Sequence, residues 1–202
     1  GKIKCGDCGS WYGSKVWHSN DKYRKVIWQC NHKFNGEKCT TPTLTEDEIK
    51  AIFLRAANQA IDAKEEITAM YHRVVEPKLA TDEFQKDLDE LATELNVTAG
   101  MIENCIRENA HVAMDQTEYQ KRYDALAARY DAAKARQSEL SQEISVRHAR
   151  RQQIELFLTN LKAREALTVF RDEDWLSMVD HITINSVTDI VVTFKDGTEI
   201  KA

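Results

Sequence analysis

Four cysteines lie in the N-terminal part of the 202-residue chain, and their spacing constrains the fold more than any other feature. Cys5 and Cys8 form a C-x2-C pair, and Cys30 and Cys39 form a second pair after a stretch rich in β-branched and aromatic residues. Thiolates at this spacing suit tetrahedral Zn²⁺, because two tight turns each present a pair of sulfur ligands. The spacing therefore predicts a zinc ribbon that holds one structural ion.

Disulfide bonds and simple burial are the alternatives to a metal site. Disulfides belong mainly to oxidising compartments. The sequence opens with no charged-then-apolar signal segment, and it contains no apolar run of about 18 residues of the kind that crosses a membrane. We therefore expect a cytoplasmic protein without a membrane partner, in which zinc is favoured over both alternatives.

Two histidines and a fifth cysteine are the remaining candidate ligands. His18 and His32 are able to replace a thiolate, but four cysteines already complete a closed structural site. Both histidines are therefore better explained as surface or DNA-facing residues. The closed site also argues against a zinc hydrolase, because a catalytic zinc keeps one coordination position open. Cys105 stands alone in a helical stretch, which is typical of a small buried hydrophobic residue.

The N-terminal segment carries charge of the opposite sign from the rest of the chain. Residues 1–45 hold eight basic residues against three acidic ones, a net charge of +5, whereas the whole chain has a net charge of -5, so the remainder carries -10. Because basic side chains that neutralise phosphates release counterions, the asymmetry indicates that this small segment meets a polyanion. The side chains expected to contact DNA are Lys15, His18, Lys22, Arg24, Lys25 and Lys33, with Arg24 or His18 at a base edge.

Two strands are predicted between the cysteine pairs. Residues 11–19 and 22–30 have high strand propensity, and the Ser-Asn-Asp sequence of residues 19–21 is typical of a turn. We expect most of the aromatic residues here to form the small core and one or two to face DNA. These residues are Trp11, Tyr12, Trp17, Tyr23 and Trp28. Because so small a unit has little apolar surface, metal binding and folding should be coupled.

Helical patterns begin after Pro42. Thr45 and Glu48 form a capping box at the start of a helix, and residues 46–80 are predicted to be the linking helix of the body. Pro77 is expected to interrupt or kink this pattern, because its ring removes a backbone hydrogen bond. A heptad seam then follows in steps of four, three and four residues. Its members are Phe84, Leu88, Leu91 and Leu95.

A long amphipathic segment without glycine or proline runs from about residue 118 to residue 165. Its two heptad lines are Tyr119, Leu126, Ala133, Leu140, Arg147, Ile154 and Leu161, and Tyr123, Tyr130, Gln137, Ile144, Arg151 and Leu158. A helix of this length must pair with another element, and the earlier seam is the obvious partner in an antiparallel hairpin. We expect this hairpin to be an insertion of residues 81–150. Its tip should lie near residues 96–115 and include a separate helical piece at 99–113.

Two features of the hairpin have two interpretations each. Gln137, Arg147 and Arg151 interrupt the seam either because it is weaker where the hairpin joins the globular base, which we favour, or because buried polar groups fix its register. The apolar residues of the tip either close a small helical core or form an exposed patch for another copy or another protein. In the second case the residues for subunit interaction are Val97, Met101, Ile102 and Ile106.

The C-terminal residues 151–202 combine a return helix with β-strands. A short helical or turn segment at 172–179 precedes strands at 182–184, 190–194 and 198–200, and Asp196-Gly197 is a strong hairpin signal. These strands have too little core to stand alone, so they should pack on the ribbon or on the helices at its base. The predicted fold class is α+β, with a small zinc β-ribbon (residues 1–45) and C-terminal β-hairpin body, long helices and an inserted antiparallel coiled-coil hairpin.

A family resemblance is carried by the residues around the cysteines, the first helix start and the last strands. These are residues 4–12, 28–30, 39, 44–49 and 191–200. Together they resemble the C-terminal zinc β-ribbon region of large serine recombinases, the integrases and transposases of phages and mobile elements. The cysteine ribbon and the helix start at Thr45 are the specific parts, and the coiled coil is generic.

The resemblance implies a longer parent protein that is a site-specific DNA recombinase, active in DNA integration and excision. In that family the serine nucleophile lies in an N-terminal catalytic domain. Ser10, Ser14 and Ser19 of this chain have no nucleophile context, so we do not expect this fragment to cut DNA by itself. The resemblance also implies a bacterial or phage-encoded origin.

The partners implied by the resemblance divide between the two ends of the fold. The ribbon is expected to bind a double-stranded DNA attachment site, and the coiled coil to reach other recombinase subunits and control synapsis. A recombination directionality factor is a further implied partner. The alternative function is a zinc-stapled coiled-coil scaffold without direct DNA binding, which the acidic body and the long seam favour.

Overall fold

The computed structural model describes residues 1–32, 38–112 and 115–202 of the chain. The protein is mixed α+β, as the sequence predicts, and it divides into two compact units, residues 1–74 with 152–202 and residues 75–151. The described strands are β1 (Ile3–Cys5), β2 (Tyr12–Trp17), β3 (Lys25–Cys30), β4 (Leu44–Thr45), β5 (Val179–Ile184), β6 (Ile190–Phe194) and β7 (Glu199–Lys201). The described α-helices are α1 (Glu46–Asp62), α2 (Lys64–Met70), α3 (Asp82–His111), α4 (Gln116–Lys162) and α5 (Asp172–Met178).

Strands β2, β3 and β4 form an antiparallel sheet in the first unit. β2 and β3 pair along their full lengths, with Trp17 opposite Lys25 at the free end of the hairpin. Both predicted strands are confirmed, but they are shorter than expected. They stop early because His18 adopts a left-handed φ of 55° and because the Asp21 carboxylate accepts a hydrogen bond of 2.7 Å from the Tyr23 backbone N–H.

A second sheet has the strand order β1-β5-β6-β7. The three predicted C-terminal strands are present and pair antiparallel, and the predicted hairpin signal is confirmed, because Gly197 forms the β6–β7 turn with a φ of 98°. The parallel pairing of β1 with β5, in which Ile3 lies opposite Ile182, is not predicted by the sequence. A strand of three residues is too short to show a periodic pattern. This pairing joins the C-terminal strands to the ribbon.

Helix α1 supplies much of the core of the first unit. Its capping box is confirmed, because Thr45 Oγ1 accepts from the Glu48 backbone N–H at 3.3 Å and Glu48 Oε2 accepts from the Thr45 backbone N–H at 2.7 Å. Phe53 is fully buried, and its ring meets those of Phe170 and Trp175 edge to face, at 5.6 Å in each case. The ribbon is therefore continued directly by a helix that is packed into the body.

The second unit consists mainly of helix α3 and of residues 116–151 of helix α4. Ion pairs cross between them: Arg122 lies 2.7 Å from Glu108, and Arg129 lies 2.8 Å from Glu94. Because the partner number falls as the α4 number rises, the helices run antiparallel. The inserted antiparallel hairpin is confirmed.

The connection between the two helices of this hairpin lies between His111 and Gln116. The separate helical piece expected at 99–113 is wrong, because α3 continues unbroken to His111 and α4 begins at Gln116. The four–three spacing of the seam explains the continuity, since it extends beyond Leu95 through Thr98 and Cys105, both of which are fully buried. Met114, which the sequence assigns to the tip, lies outside the described residues.

The base of the hairpin contains the polar interruptions of the seam. The helical pattern breaks around Pro77, with a π-helical turn at Tyr71–Val75 and a 3-10 turn at Pro77–Leu79. Arg147 Nη1 donates to the carbonyl oxygens of Lys78 and Ala80 at 3.0 and 3.1 Å. Arg147 therefore occupies the seam at the point where the interrupted helix leaves backbone carbonyl groups that need a hydrogen-bond donor. This supports the favoured explanation for Arg147.

Among the described residues, no helix combines the length and the apolar character that a membrane crossing requires.

Candidate metal centre and nucleic-acid interface

The four cysteines of the ribbon come together at one point. Cys5 ends β1, Cys8 lies in the turn that follows, Cys30 ends β3, and Cys39 follows the segment whose residues 33–37 are outside the described chain. All four Sγ atoms lie within 4.8 Å of one another. The Cys8 and Cys30 sulfurs are 3.5 Å apart, and those of Cys30 and Cys39 are 3.9 Å apart.

These distances fit a tetrahedral metal ion. With Zn–S bonds of about 2.3 Å, the sulfurs of a tetrahedral site are separated by about 3.8 Å. A disulfide requires about 2.05 Å, and the described cysteines are all free thiols. The donor set therefore suits one closed, four-sulfur metal site and leaves no position for a substrate.

Local backbone geometry explains how the first pair of ligands is presented. Gly9 has a φ of 70°, which favours glycine, and its N–H donates to the Cys5 carbonyl oxygen at 2.8 Å. Gly6 donates to the Ile184 carbonyl oxygen at 2.8 Å, and a Cβ at position 6 would approach that oxygen to 2.9 Å. Both glycines are needed, one for the turn and one for its close approach to β5.

Polar residues around the sulfurs tie the two knuckles together. The Asp7 carboxylate accepts from the Thr40 backbone N–H at 2.6 Å and from the Thr40 hydroxyl at 3.0 Å. Thr41 Oγ1 lies 3.2 Å from Cys5 Sγ, and the His32 backbone N–H donates to Cys30 Sγ at 3.4 Å. These hydrogen bonds orient the ligands. The role of Asp7 in orienting the ligands was not predicted, although its position between the two cysteines of the C-x2-C pair is visible in the sequence.

The protonation of the thiols is set by their surroundings. Hydrogen bonds from the side chain and backbone of Ser10 lower the pKa of Cys8 to about 6. Burial raises the pKa of Cys30, and the interaction with the Cys8 sulfur raises the pKa of Cys39. Because metal ligands must be thiolates, binding of the ion displaces the protons that the raised pKa values hold on Cys30 and Cys39.

The histidines and Cys105 do not join the sulfur cluster described above. His18 lies at the far end of the β2–β3 hairpin, where its Nδ1 is 3.1 Å from an Asp21 carboxylate oxygen. His32 is exposed, and it contacts Cys30 through its backbone N–H. Cys105 is buried in α3, as the sequence predicts.

Most of the basic residues chosen from the sequence gather at the free end of the hairpin. The side chains of Lys15, His18, Lys22, Arg24 and Lys25 are all exposed. Lys33 lies outside the described residues. Asp21 is the acidic residue at this end of the hairpin, and it is occupied by the His18 imidazole and by the Tyr23 backbone N–H. The end of the hairpin is therefore basic and open to solvent.

The expectation that most ribbon aromatics form its core is wrong. Tyr12 is buried and donates its hydroxyl hydrogen to the Pro42 carbonyl oxygen at 2.9 Å, but Trp11, Trp17 and Tyr23 are 42%, 47% and 64% exposed. The metal centre and the packing of β3 against β4 and α1 provide the core instead. A lysine ammonium lies over each exposed ring: Lys4 over Trp11 at 5.1 Å, Lys25 over Trp17 at 5.6 Å and Lys22 over Tyr23 at 5.2 Å.

The residues selected for subunit interaction occupy different sides of α3. Val97, Met101 and Ile106 are exposed, whereas Ile102 is half-buried on the seam. At 100° per residue, Val97 and Met101 lie on one flank of the seam and Ile106 on the other. The four residues therefore do not form one continuous patch on the helix.

A comparison with protein families identifies the ribbon. Residues 1–58 match the family described as "Recombinase zinc beta ribbon domain". The matched stretch includes all four clustered cysteines and the capped start of α1. The resemblance of this part of the chain to a recombinase zinc ribbon is confirmed.

Comparisons over the whole chain add little. No curated protein matches it. A solved structure described as "Crystal Structure of a LSR-DNA Complex", where LSR stands for large serine recombinase, is 16% identical, with a TM-score of 0.36. The aligned region covers 96% of this chain and 54% of that chain, so the present chain spans about half of that length. A likeness this distant carries no conclusion about this protein.

Proposed function

We propose that this chain is the DNA-binding and subunit-interaction region of a site-specific serine recombinase that mediates DNA integration and excision. The ribbon binds double-stranded attachment-site DNA through the β2–β3 hairpin. The α3–α4 hairpin contacts other recombinase subunits and thereby controls synapsis. The observation that carries this proposal is the four-thiolate centre of a recombinase zinc ribbon at the base of an exposed basic β-hairpin.

One structural Zn²⁺ is part of the proposal. Cys5, Cys8, Cys30 and Cys39 would hold it, and Asp7 and its partners would orient them. When bound, the ion supplies a cross-link between β1, β3 and the turns that follow them. Four sulfur ligands complete its coordination, so the ion shapes the DNA-binding surface and takes no part in strand cleavage.

Charge and shape support DNA as the partner of the hairpin. The exposed cations Lys15, Lys22, Arg24 and Lys25 belong to a segment of net charge +5 in a chain of net charge -5. Residues 14–19 are exposed without interruption, so the free end of β2 meets solvent on both faces, whereas Ile27 of β3 is buried. The major groove of B-DNA admits a two-stranded β-ribbon of this kind.

The contact with other subunits is assigned to the outer surface of α3. Val97 and Met101 are one helical turn apart and 47% and 41% exposed. Apolar side chains at that spacing form a short stripe that suits another helix. Ile106 belongs to the opposite flank, so a single partner helix would engage Val97 and Met101 without it.

Fluorescence anisotropy with the zinc-loaded chain tests the DNA-binding part of the proposal. The probe is a labelled duplex that the wild-type chain has enriched from a randomised library, titrated at several salt concentrations. Replacing Arg24 and Lys25 by Ala should weaken binding and reduce the salt slope by about two. The matched control replaces Lys121 and Lys134 of α4, which are also exposed, and should leave both quantities unchanged.

The scaffold alternative makes the opposite prediction for the same experiment. A zinc-stapled coiled-coil scaffold would enrich no duplex and would self-associate stably through Val97 and Met101. Sedimentation equilibrium with and without the Val97→Ser and Met101→Ser substitutions measures that association. DNA binding that depends on Arg24 and Lys25 contradicts the scaffold, and self-association without any DNA binding contradicts the recombinase region.

A further inference from the structure

The two faces of the β2–β3 hairpin carry different chemistry. Because side chains alternate along a strand, Lys15 and Trp17 point to one face, and Lys25 lies opposite Trp17 on that same face. Val16 lies on the other face, opposite Val26. The first face also holds Ile27, which lies opposite Lys15 and is buried, so its exposed part is cationic and aromatic. The exposed part of the other face carries the aliphatic pair Val16 and Val26.

Trp17 keeps a large exposed aromatic surface beside a cation. Lys25 Nζ stands 5.6 Å from the Trp17 ring centroid, yet 47% of the tryptophan remains accessible. This contact holds the indole and a cation side by side, where both are available to one ligand. Tryptophan is among the residue types that dominate binding free energies at interfaces.

We infer that the hairpin docks on double-stranded DNA through the face formed by Lys15, Trp17 and Lys25, with Trp17 as its anchor. The two ammonium groups meet phosphates, and the indole packs against the sugars and base edges between them. The aliphatic face of Val16 and Val26 points away from the duplex. This inference rests on the proposed DNA-binding function and adds which face binds and which residue anchors it.

The chain offers a matched pair of variants for this face. Val16 and Trp17 are neighbours in β2, each is 47% exposed, and they differ in the face they occupy. Binding of Trp17→Ala and Val16→Ala is measured by anisotropy on the duplex enriched by the wild-type chain. We expect Trp17→Ala to raise the Kd roughly tenfold or more, and Val16→Ala to change it by less than about twofold.

Two further measurements separate loss of contact from loss of fold. Zinc content shows whether Trp17→Ala keeps the ribbon. Trp17→Phe retains an aromatic ring under Lys25 and should restore most of the affinity, so the inference stays testable even if the alanine variant misfolds. If a zinc-loaded Trp17→Phe variant loses about tenfold or more in affinity, a ring at this position is not the anchor.

The outcomes distinguish this inference from the function on which it rests. If the wild-type chain enriches no duplex, the proposed function itself fails. If the wild-type chain binds but Val16→Ala costs as much as Trp17→Ala, or if Trp17→Ala binds normally, the face is wrong and the DNA-binding function stands.

Discussion

Asp7 accepts two hydrogen bonds from Thr40, one from its backbone N–H at 2.6 Å and one from its hydroxyl at 3.0 Å. Asp7 stands between Cys5 and Cys8, and Thr40 directly follows Cys39, so this pair links the two halves of the cysteine cluster. The hydrogen bond from the Thr40 backbone is the main reason that the pKa of Asp7 lies below its usual value. The linkage explains how a loop-borne cysteine is held beside a strand-borne one.

Replacing Asp7 by Ala should therefore weaken metal binding. Loss of a group that orients the ligands of a metal typically costs 10- to 100-fold in affinity, so we expect roughly a tenfold loss or more. Competition for Zn²⁺ with a chromogenic chelator measures the change. Asp21→Ala removes an acidic residue from the far end of the same ribbon and should leave zinc affinity unaltered. Equal losses for the two variants would show that only the net charge of the ribbon matters.

Removal of the metal should unfold the ribbon and leave the helical hairpin folded. The ribbon's short strands bury little apolar surface, so its folding depends on the ion. The seam of α3 and α4 contains none of the four clustered cysteines. A strong chelator should therefore abolish the near-ultraviolet dichroism of the ribbon tryptophans while most of the helical far-ultraviolet signal persists.

Cysteine variants test which thiolates bind the zinc ion. Cys39→Ser should reduce the zinc stoichiometry well below one ion per chain, whereas Cys105→Ser, in the buried seam of α3, should leave it at one. Elemental analysis of purified protein measures both. A full zinc complement in Cys39→Ser would remove Cys39 from the ligand set.

The capping box of α1 should make part of the stability dependent on pH. Hydrogen bonds from the Thr45 backbone and hydroxyl hold the pKa of Glu48 below its usual value. A carboxyl whose pKa is lower in the folded state contributes stability that is complete above its unfolded pKa and is lost as pH falls through its folded pKa. Glu48→Gln should therefore reduce the loss of stability on acidification.

Urea unfolding at neutral and at acidic pH measures that effect. Thr45→Ala should lower the free energy of unfolding by about 1 kcal/mol at neutral pH, because it removes the side-chain acceptor of the N-terminal cap. Glu66→Gln, an exposed change in α2, serves as the control and should alter neither value. If Glu48→Gln and Glu66→Gln have the same pH dependence, the capping carboxylate does not contribute.

Arg147 should stabilise the base of the helical hairpin. Its guanidinium donates to two backbone carbonyl groups at the Pro77 break and lies 4.3 Å from the centroid of the Phe84 ring. Arg147→Met leaves those carbonyls without this donor, and we expect a loss of about 1–3 kcal/mol in the free energy of unfolding. Arg136→Met removes only an exposed pair with Glu139 and should cost less than about 0.5 kcal/mol. Thermal unfolding of both variants distinguishes them.

The sequence predicts what depends on local spacing. The cysteine pairs, the Thr45–Glu48 cap and the heptad lines of α4 each follow a short-range pattern, and each is present in the structure. Pairing of β1 with β5 is different, because it joins residues nearly the whole chain apart and three residues carry no periodicity. Such a contact is set by tertiary packing.

The exposure of the ribbon aromatics also could not be predicted from the sequence. A small domain without other core material would bury most of its five aromatic residues, but Trp11, Trp17 and Tyr23 are exposed, so that expectation is wrong. Strand alternation alone places Trp17 beside Lys15, but which face is open depends on where α1 and β4 pack. The burial of these side chains is therefore set by tertiary packing.

The salt dependence of DNA binding by the zinc-loaded wild-type chain tests the central claim most directly. Anisotropy titrations of the enriched duplex between about 50 and 200 mM salt should give a linear decrease of log K with log salt concentration, with a slope of about -0.9 for each phosphate contact. The Arg24→Ala and Lys25→Ala double variant should shift that slope by about two. Absence of binding at the lowest salt would contradict a DNA-binding ribbon, and a slope that both proteins share would remove Arg24 and Lys25 from its interface.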